Sequence, residues 1–223
     1  MARIVKEYEV RRTEILDVAQ QLFYQKGYEQ TSIQDILHSV GIAKGTFYHY
    51  FDSKETLLKA FIERMIEQIM GIITPIATDT QLNACQKLGR LFVQAHHWKF
   101  EHRAVLLQVL GVFYQEENLR LRHALLLSSA EQIVPVWAQI IEQGVQEGVF
   151  TTPFAQEAAE ILFKLLQSLS ETVAFLILSP PEDATAILEH KVVAYQQAVE
   201  RILGAPPGAL PLFDVDLIKR WLE

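Results

Sequence analysis

Apolar residues recur three and four positions apart along nearly the whole chain, and alternating β-branched runs are scarce. That period belongs to helices that bury one stripe, so the expected fold class is all-α. The first helix is predicted over 10–26, with Ile15, Val18, Ala19, Leu22 and Phe23 on one face and Gly27 as its stop. A second runs over 33–40; Thr31 and Ser32 offer its cap, and Asp35 follows Ser32 by three, the spacing of a capping box. Gly41 breaks the chain before a third short helix over 44–50. A fourth starts near Lys54, capped by Asp52 or Ser53, and ends near Ile73 ahead of Pro75. Longer helices are expected near 81–100, 103–115, 118–146, 155–178 and 183–203. The stretch 204–211, rich in Pro and Gly, reads as a stiff linker. An amphipathic turn or two follows from Asp214, with Val215, Ile218, Trp221 and Leu222 on one side.

Bulk properties exclude several classes. The unbroken apolar runs are far shorter than the roughly 20 residues of a membrane span. The first residues are charged and lack the apolar core of a secretion signal. A lone Cys85 rules out a disulfide framework within the chain, so a cytoplasmic protein with no membrane partner is expected. The net charge of −7 sits entirely beyond residue 60, because residues 1–60 hold eight Lys/Arg and eight Asp/Glu. A neutral head in front of an acidic body leaves the head as the surface that DNA tolerates.

The informative stretch is Thr31–Leu58. Two short helices joined through a Gly-containing turn make the helix-turn-helix plan, whose second helix enters the major groove. On the third helix Phe47, Tyr50 and Phe51 are spaced to anchor it. Lys44 and Tyr48, four apart, lie on another face beside Gly45 and His49. Gly45 allows a sugar-phosphate backbone to approach closely. Lys44 stands at a helix start, where the macrodipole disfavours a cation; a phosphate there reverses the sign by attracting both the lysine and the free N–H groups. Lys54 repeats this logic at the fourth helix.

The run Gly41-Ile-Ala-Lys-Gly-Thr-Phe-Tyr-His-Tyr-Phe-Asp-Ser-Lys-Glu-Thr-Leu-Leu58 resembles the signature of the TetR/AcrR family of regulators. So does the preceding Ile15-Leu-Asp-Val-Ala-Gln-Gln-Leu-Phe-Tyr-Gln-Lys-Gly-Tyr-Glu-Gln-Thr-Ser32. The resemblance covers roughly residues 10–60. It implies an all-helical homodimer with three N-terminal helices for DNA and six or more for ligand and dimer contacts. By position it implies that Lys44, Thr46, Tyr48 and His49 face DNA, that Gly45 permits close approach, and that Thr31 or Ser32, with Lys54, hold phosphates. Two positions depart from the pattern. Ala43 stands where the family often has a capping serine, a loss of about 1 kcal/mol. Leu37 and His38 stand where a small residue is more usual; His38 is read as a solvated surface residue.

The expected domains are a helix-turn-helix domain at 1–53, a helical effector-binding and dimerisation domain at 54–203, and a linker with a short helix at 204–223. Within 155–178, Ile161, Leu165, Leu169, Val173 and Leu176 form an apolar row broadened by Leu162, Phe163 and Leu166. The 183–203 helix offers Ile187, Ala194, Ala198 and Ile202. Such helices are buried on two sides. The resemblance places the homodimer interface, a four-helix bundle, on these two; the alternative is that both rows lie in the interior core. For an effector pocket, Phe92, His96, Phe113, Tyr114 and Trp137 supply apolar walls with a few polar groups, and Pro135 is expected to bend its helix beside Trp137. His97 and Glu101 are four apart, a metal-ligand spacing, but no third ligand is evident; neither a metal nor a cofactor is expected. The metalloprotease HExxH, phosphate-cradling GxxxxGK and GxSxG patterns are missing, so an enzyme is not expected. The reading is a ligand-responsive regulator, a repressor in the first place, with a double-stranded DNA operator and a small apolar or amphipathic effector as partners. An activator stays open. A helical adaptor without DNA binding is the competing reading, and the intact Lys44–Lys54 stretch speaks against it.

Overall fold

A computed structural model describes the backbone from residue 2 to residue 222, and the side chains from residue 7 onward except that of residue 117. Among the described residues there are ten α-helices, one 3-10 turn at Glu116–Asn118 and no strand. The helices are α1 (Ala2–Lys26), α2 (Ile33–Val40), α3 (Lys44–Tyr50), α4 (Lys54–Thr78), α5 (Ala84–Glu101), α6 (Arg103–Phe113), α7 (Leu119–Gln146), α8 (Ala155–Leu178), α9 (Ala184–Leu203) and α10 (Val215–Lys219). The all-α expectation holds.

The chain forms two compact units, residues 1–67 with 104–125, and residues 68–103 with 126–223. This division differs from a boundary at 53/54, because α4 is shared and α6 joins the N-terminal helices. The first unit buries Ile15, Ala19 and Phe23 of α1, Ile36 of α2, Phe47 of α3, and Leu57, Leu58 and Phe61 of α4. Phe23 meets Tyr28 and Phe61 edge to face at 5.3 and 5.6 Å. The second unit has one core from α5, α7, α8, α9 and the tail, including Leu88, Ile141, Phe163, Leu203 and Leu212. A smaller cluster joins Leu176, Leu188, Val192 and Ile218.

Four expectations are corrected. The helix expected from Val10 begins at Ala2, since residues 2–9 contain neither Gly nor Pro, and Tyr8 packs on Tyr50 with ring centroids 4.6 Å apart. The fourth helix passes through Pro75 to Thr78. A proline this close to a helix end forfeits one hydrogen bond, and its carbonyl partner would be on Gly71, an exposed residue. The Thr78 hydroxyl donates to the carbonyls of Thr74 and Pro75 and closes that last turn. The tail is not a spacer: Leu210 and Leu212 are fully buried, and the Glu200 carboxylate accepts the N–H groups of Gly208 and Leu210. Finally, α7 and α8 do reach the length and mean apolarity of a membrane span. Counting unbroken apolar runs missed this, because scattered polar and charged residues such as Glu131, Lys164 and Glu171 break each run while the mean over the window stays high. In α8 the apolarity serves the interior through Leu162, Phe163 and Leu169.

Candidate nucleic-acid interface

Local signals build the two short helices. The Ser32 hydroxyl accepts the Asp35 N–H, and the Asp35 carboxylate accepts the Ser32 N–H at 2.8 Å and hydroxyl at 2.7 Å, a completed capping box. Lys26 pairs with the same carboxylate at 2.8 Å. These partners, Lys26 first and Ser32 next, hold the Asp35 carboxyl well below the usual carboxylate range. At the other end of α2, Gly41 takes φ +75° and its N–H reaches the Leu37 carbonyl. Only glycine adopts that left-handed backbone without strain. α3 has Ala43 at its N-cap, with no side-chain cap. Its position therefore depends on Phe47, which is fully buried.

With Phe47 inward, α3 turns Lys44, Gly45, Tyr48 and His49 to the outside, and Thr46 is half-buried. The Lys44 ammonium lies 5.9 Å from the centre of the Tyr48 ring, and Tyr48 meets Phe47 edge to face at 5.5 Å. His49 is buttressed by Tyr8 and Tyr50 at 5.6 and 5.0 Å. Tyr8 is a supporting residue that the sequence did not reveal, because it lies ahead of the expected start of α1. Arg12 stacks over Phe51 at 5.2 Å and ties α1 to the end of α3. An open groove of about 420 Å³ runs along α2 and α3 past Gln34, His38, Gly41, Ile42 and Lys44. His38 is exposed, as expected.

The phosphate candidates divide. Ser32 is exposed at the start of α2. Thr31 is fully buried, and its hydroxyl donates to the Gly27 carbonyl at 2.7 Å. Thr31 is thus a structural clasp, and its assignment as a phosphate contact is corrected. Lys54 is half-buried, with its ammonium 4.1 Å from the centre of the Tyr28 ring and donating to the Glu29 carbonyl. Burial lowers its pKa below the usual lysine value, against the opposing pull of Glu29 and Glu55.

The effector candidates also divide. In the second unit Phe92 meets Trp137 at 5.5 Å and His96 at 6.5 Å. Phe213, which the sequence reading left in the tail, touches both Phe92 and His96 at 5.9 Å. Phe163 joins Trp137 at 6.3 Å. His96 donates its Nδ1–H to the Phe92 carbonyl at 2.7 Å, and burial pushes its pKa down to about 4. Phe113 and Tyr114 belong to the first unit, where their rings are 5.6 Å apart and Arg122 lies over Tyr114. Among the described residues no group of three or more His, Cys, Asp or Glu gathers in metal-binding geometry, around His97 and Glu101 included.

Residues 15–61 match the sequence profile of "Bacterial regulatory proteins, tetR family". The HTH-type transcriptional repressor KstR2 of Mycolicibacterium smegmatis is 32% identical over 144 residues, which span 63% of this chain and 67% of that protein. Its namesake in Mycobacterium tuberculosis H37Rv is 29% identical over 158 residues, 67% of this chain and 74% of that protein. Among solved structures, a TetR-family transcriptional regulator of Pectobacterium atrosepticum superposes with a TM-score of 0.59 at 22% identity, covering 90% of this chain and 98% of that one. The fold, the capped helix-turn-helix and these likenesses agree: the chain belongs to the TetR family of DNA-binding transcriptional regulators and is not an enzyme.

Proposed function

We propose that the chain is a cytoplasmic repressor that binds a palindromic operator as a homodimer and is released by a small apolar or amphipathic effector. The observation that carries this is the two-sided α3: Phe47 locked in the core, Lys44, Tyr48 and His49 facing out. DNA binding is assigned to α1–α3 and the start of α4, through Ser32, Lys44, Gly45, Thr46, Tyr48, His49 and Lys54. Effector binding and dimerisation are assigned to α5–α9. Release requires the effector to bind two dimer states unequally, by about 5.5 kcal/mol for a near-complete switch. In the released state the two recognition helices no longer match major grooves about 34 Å apart. Selection of bound sequences from a random double-stranded DNA pool tests the reading. An enriched palindrome supports it; a folded dimer that enriches nothing at low salt overturns it.

Lys54→Ala is expected to weaken all DNA sequences alike and to reduce the slope of log affinity against log salt by about one. An unchanged slope would show that the ammonium serves only Tyr28 and Glu29.

The dimer assignment rests on the apolar residues that α8 and α9 leave outside: Ile161 is 53% exposed, Leu178 42% and Val193 50%. Exposed large apolar side chains on two neighbouring helices suit a surface that a partner copy covers. The helices are joined near their middles by Ser168 and Tyr195, whose hydroxyls are 3.0 Å apart. Ile161→Glu inserts a carboxylate twice into a two-fold interface. The dimer dissociation constant should rise by roughly a hundredfold or more, read by sedimentation, with helical content unchanged. A dimer of wild-type strength would move the interface elsewhere.

A further inference from the structure

We infer that Tyr8 is a positioning residue for DNA reading: it fixes the plane of the His49 imidazole and so sets the base preference at one position of each operator half-site. This rests on the DNA-binding reading above and adds a residue that acts through His49 rather than on the DNA. Tyr8 lies in the first two turns of α1, four residues before Arg12, so the two share a helix face. The same stripe continues inward through Ile15 and Ala19, both fully buried. The Arg12 guanidinium lies over the Phe51 ring at 5.2 Å. Tyr8 packs on Tyr50 with ring centroids 4.6 Å apart, and reaches past it to His49 at 5.6 Å. The start of α1 thus grips the end of α3 and its C-cap at His49, Tyr50 and Phe51 in succession.

The geometry at His49 is that of a held ring. Its plane stands at 81° to Tyr8 and 80° to Tyr50, while the two tyrosine rings are 37° from each other. Two roughly aligned aromatic walls therefore meet an imidazole perpendicular to both, an arrangement that aromatic rings favour. His49 itself is exposed on the outward side of α3. Packing of α1 on α3 is already served by Tyr8 against Tyr50; the added contact orients a group on the face offered to DNA. Orientation matters because base edges are read by directional hydrogen bonds, which weaken steeply away from a straight N–H···acceptor line. An imidazole carries its N–H in the ring plane, so fixing the plane aims the donor. Guanine presents two acceptors to it in the major groove, N7 and O6. A ring held before binding also loses less freedom on binding. The brace has a reason to exist here: α3 has seven residues and no side-chain cap at Ala43, too little to fix its own end.

Selection from a random double-stranded DNA pool tests this in the full-length chain and its variants, with fluorescence anisotropy on the wild-type operator and circular dichroism as a check of fold. His49→Ala should erase the preference at one position in each half-site. Tyr8→Leu keeps apolar bulk against Tyr50 but has no ring. It should relax that same position, leave the other preferences in place and weaken the operator roughly tenfold. Tyr8→Phe retains the ring and should retain the wild-type profile. Tyr8→Leu combined with His49→Ala should bind within about twofold of His49→Ala alone, because the two residues act as one unit. A Tyr8→Leu variant that loses its fold, or that binds all sequences more weakly with its profile intact, would make Tyr8 a packing residue and overturn the inference. So would losses that add in the double variant, or a His49→Ala profile identical to wild type. In all these cases the wild-type chain still enriches a palindrome. If it enriches nothing, the DNA-binding reading fails first and the inference with it.

Discussion

Tyr48→Ala should abolish specific operator binding and leave the fold intact. Tyr48 is 41% exposed on a seven-residue helix whose position is held from behind by Phe47. Its ring lies edge to face against Phe47 and beneath the Lys44 ammonium. Removing an exposed ring of this kind changes stability by about 0.5 kcal/mol or less. At the DNA the balance is different. A side chain on the outer face of a recognition helix is worth about 1–3 kcal/mol at its site. A homodimer on a palindrome makes every contact twice, so the loss is about 2–6 kcal/mol, or roughly thirtyfold to twenty-thousandfold in affinity. Losing the ring also removes the aromatic face beneath the Lys44 ammonium. Fluorescence anisotropy on the selected operator at one fixed salt concentration measures the loss, and circular dichroism checks the helices. Operator affinity within threefold of wild type, in a folded variant, would take Tyr48 out of the interface and with it the outward face of α3.

Where the signal is local, the sequence was sufficient. The bounds of α2, α3 and α8 follow from the Ser32–Asp35 box, the Gly41 stop and the period of the apolar residues, all written within a few positions of where they act. Thr31 and Ser32 show the limit of that logic. Both residue types can cap, and only packing against Gly27 decides that Thr31 turns inward and Ser32 outward. Pro75 marked a stop by its chemistry, yet the cost of one lost bond in a last turn was met by the Thr78 hydroxyl. Partners distant along the chain were illegible: Tyr8 lies over forty residues from His49, and Phe213 more than a hundred from Phe92. The tail was misread for a related reason. Pro and Gly report backbone stiffness and turn geometry, whereas the seat of Leu210 and Leu212 depends on a surface built by α5, α8 and α9.

That seat makes the loss of Glu200 costly to the fold. Glu200 is 2% exposed, and its Oε1 accepts the N–H of Gly208 at 2.9 Å and of Leu210 at 3.3 Å. Glu200→Ala leaves both donors without a partner. Gly208 is exposed and water can take its N–H, but Leu210 is fully buried and its N–H has no such recourse. One buried unsatisfied donor costs about 1–3 kcal/mol, and partial release of the Leu210 and Leu212 side chains adds about 1–2 kcal/mol. The expected destabilisation is therefore about 2–5 kcal/mol, a large share of the total for a single domain. Glu200→Gln retains an oxygen acceptor in the same place and should lose less than about 1 kcal/mol. Urea unfolding reads the difference between the two variants, and limited proteolysis should find 204–213 newly cleavable in the alanine variant alone. Because Phe213 follows Leu212 directly and meets Phe92 and His96, loosening the tail should also loosen that ring cluster. An alanine variant as stable and as protease-resistant as wild type would mean that Leu210 and Leu212 hold the tail without help, and that the buried carboxylate has some other reason to be there.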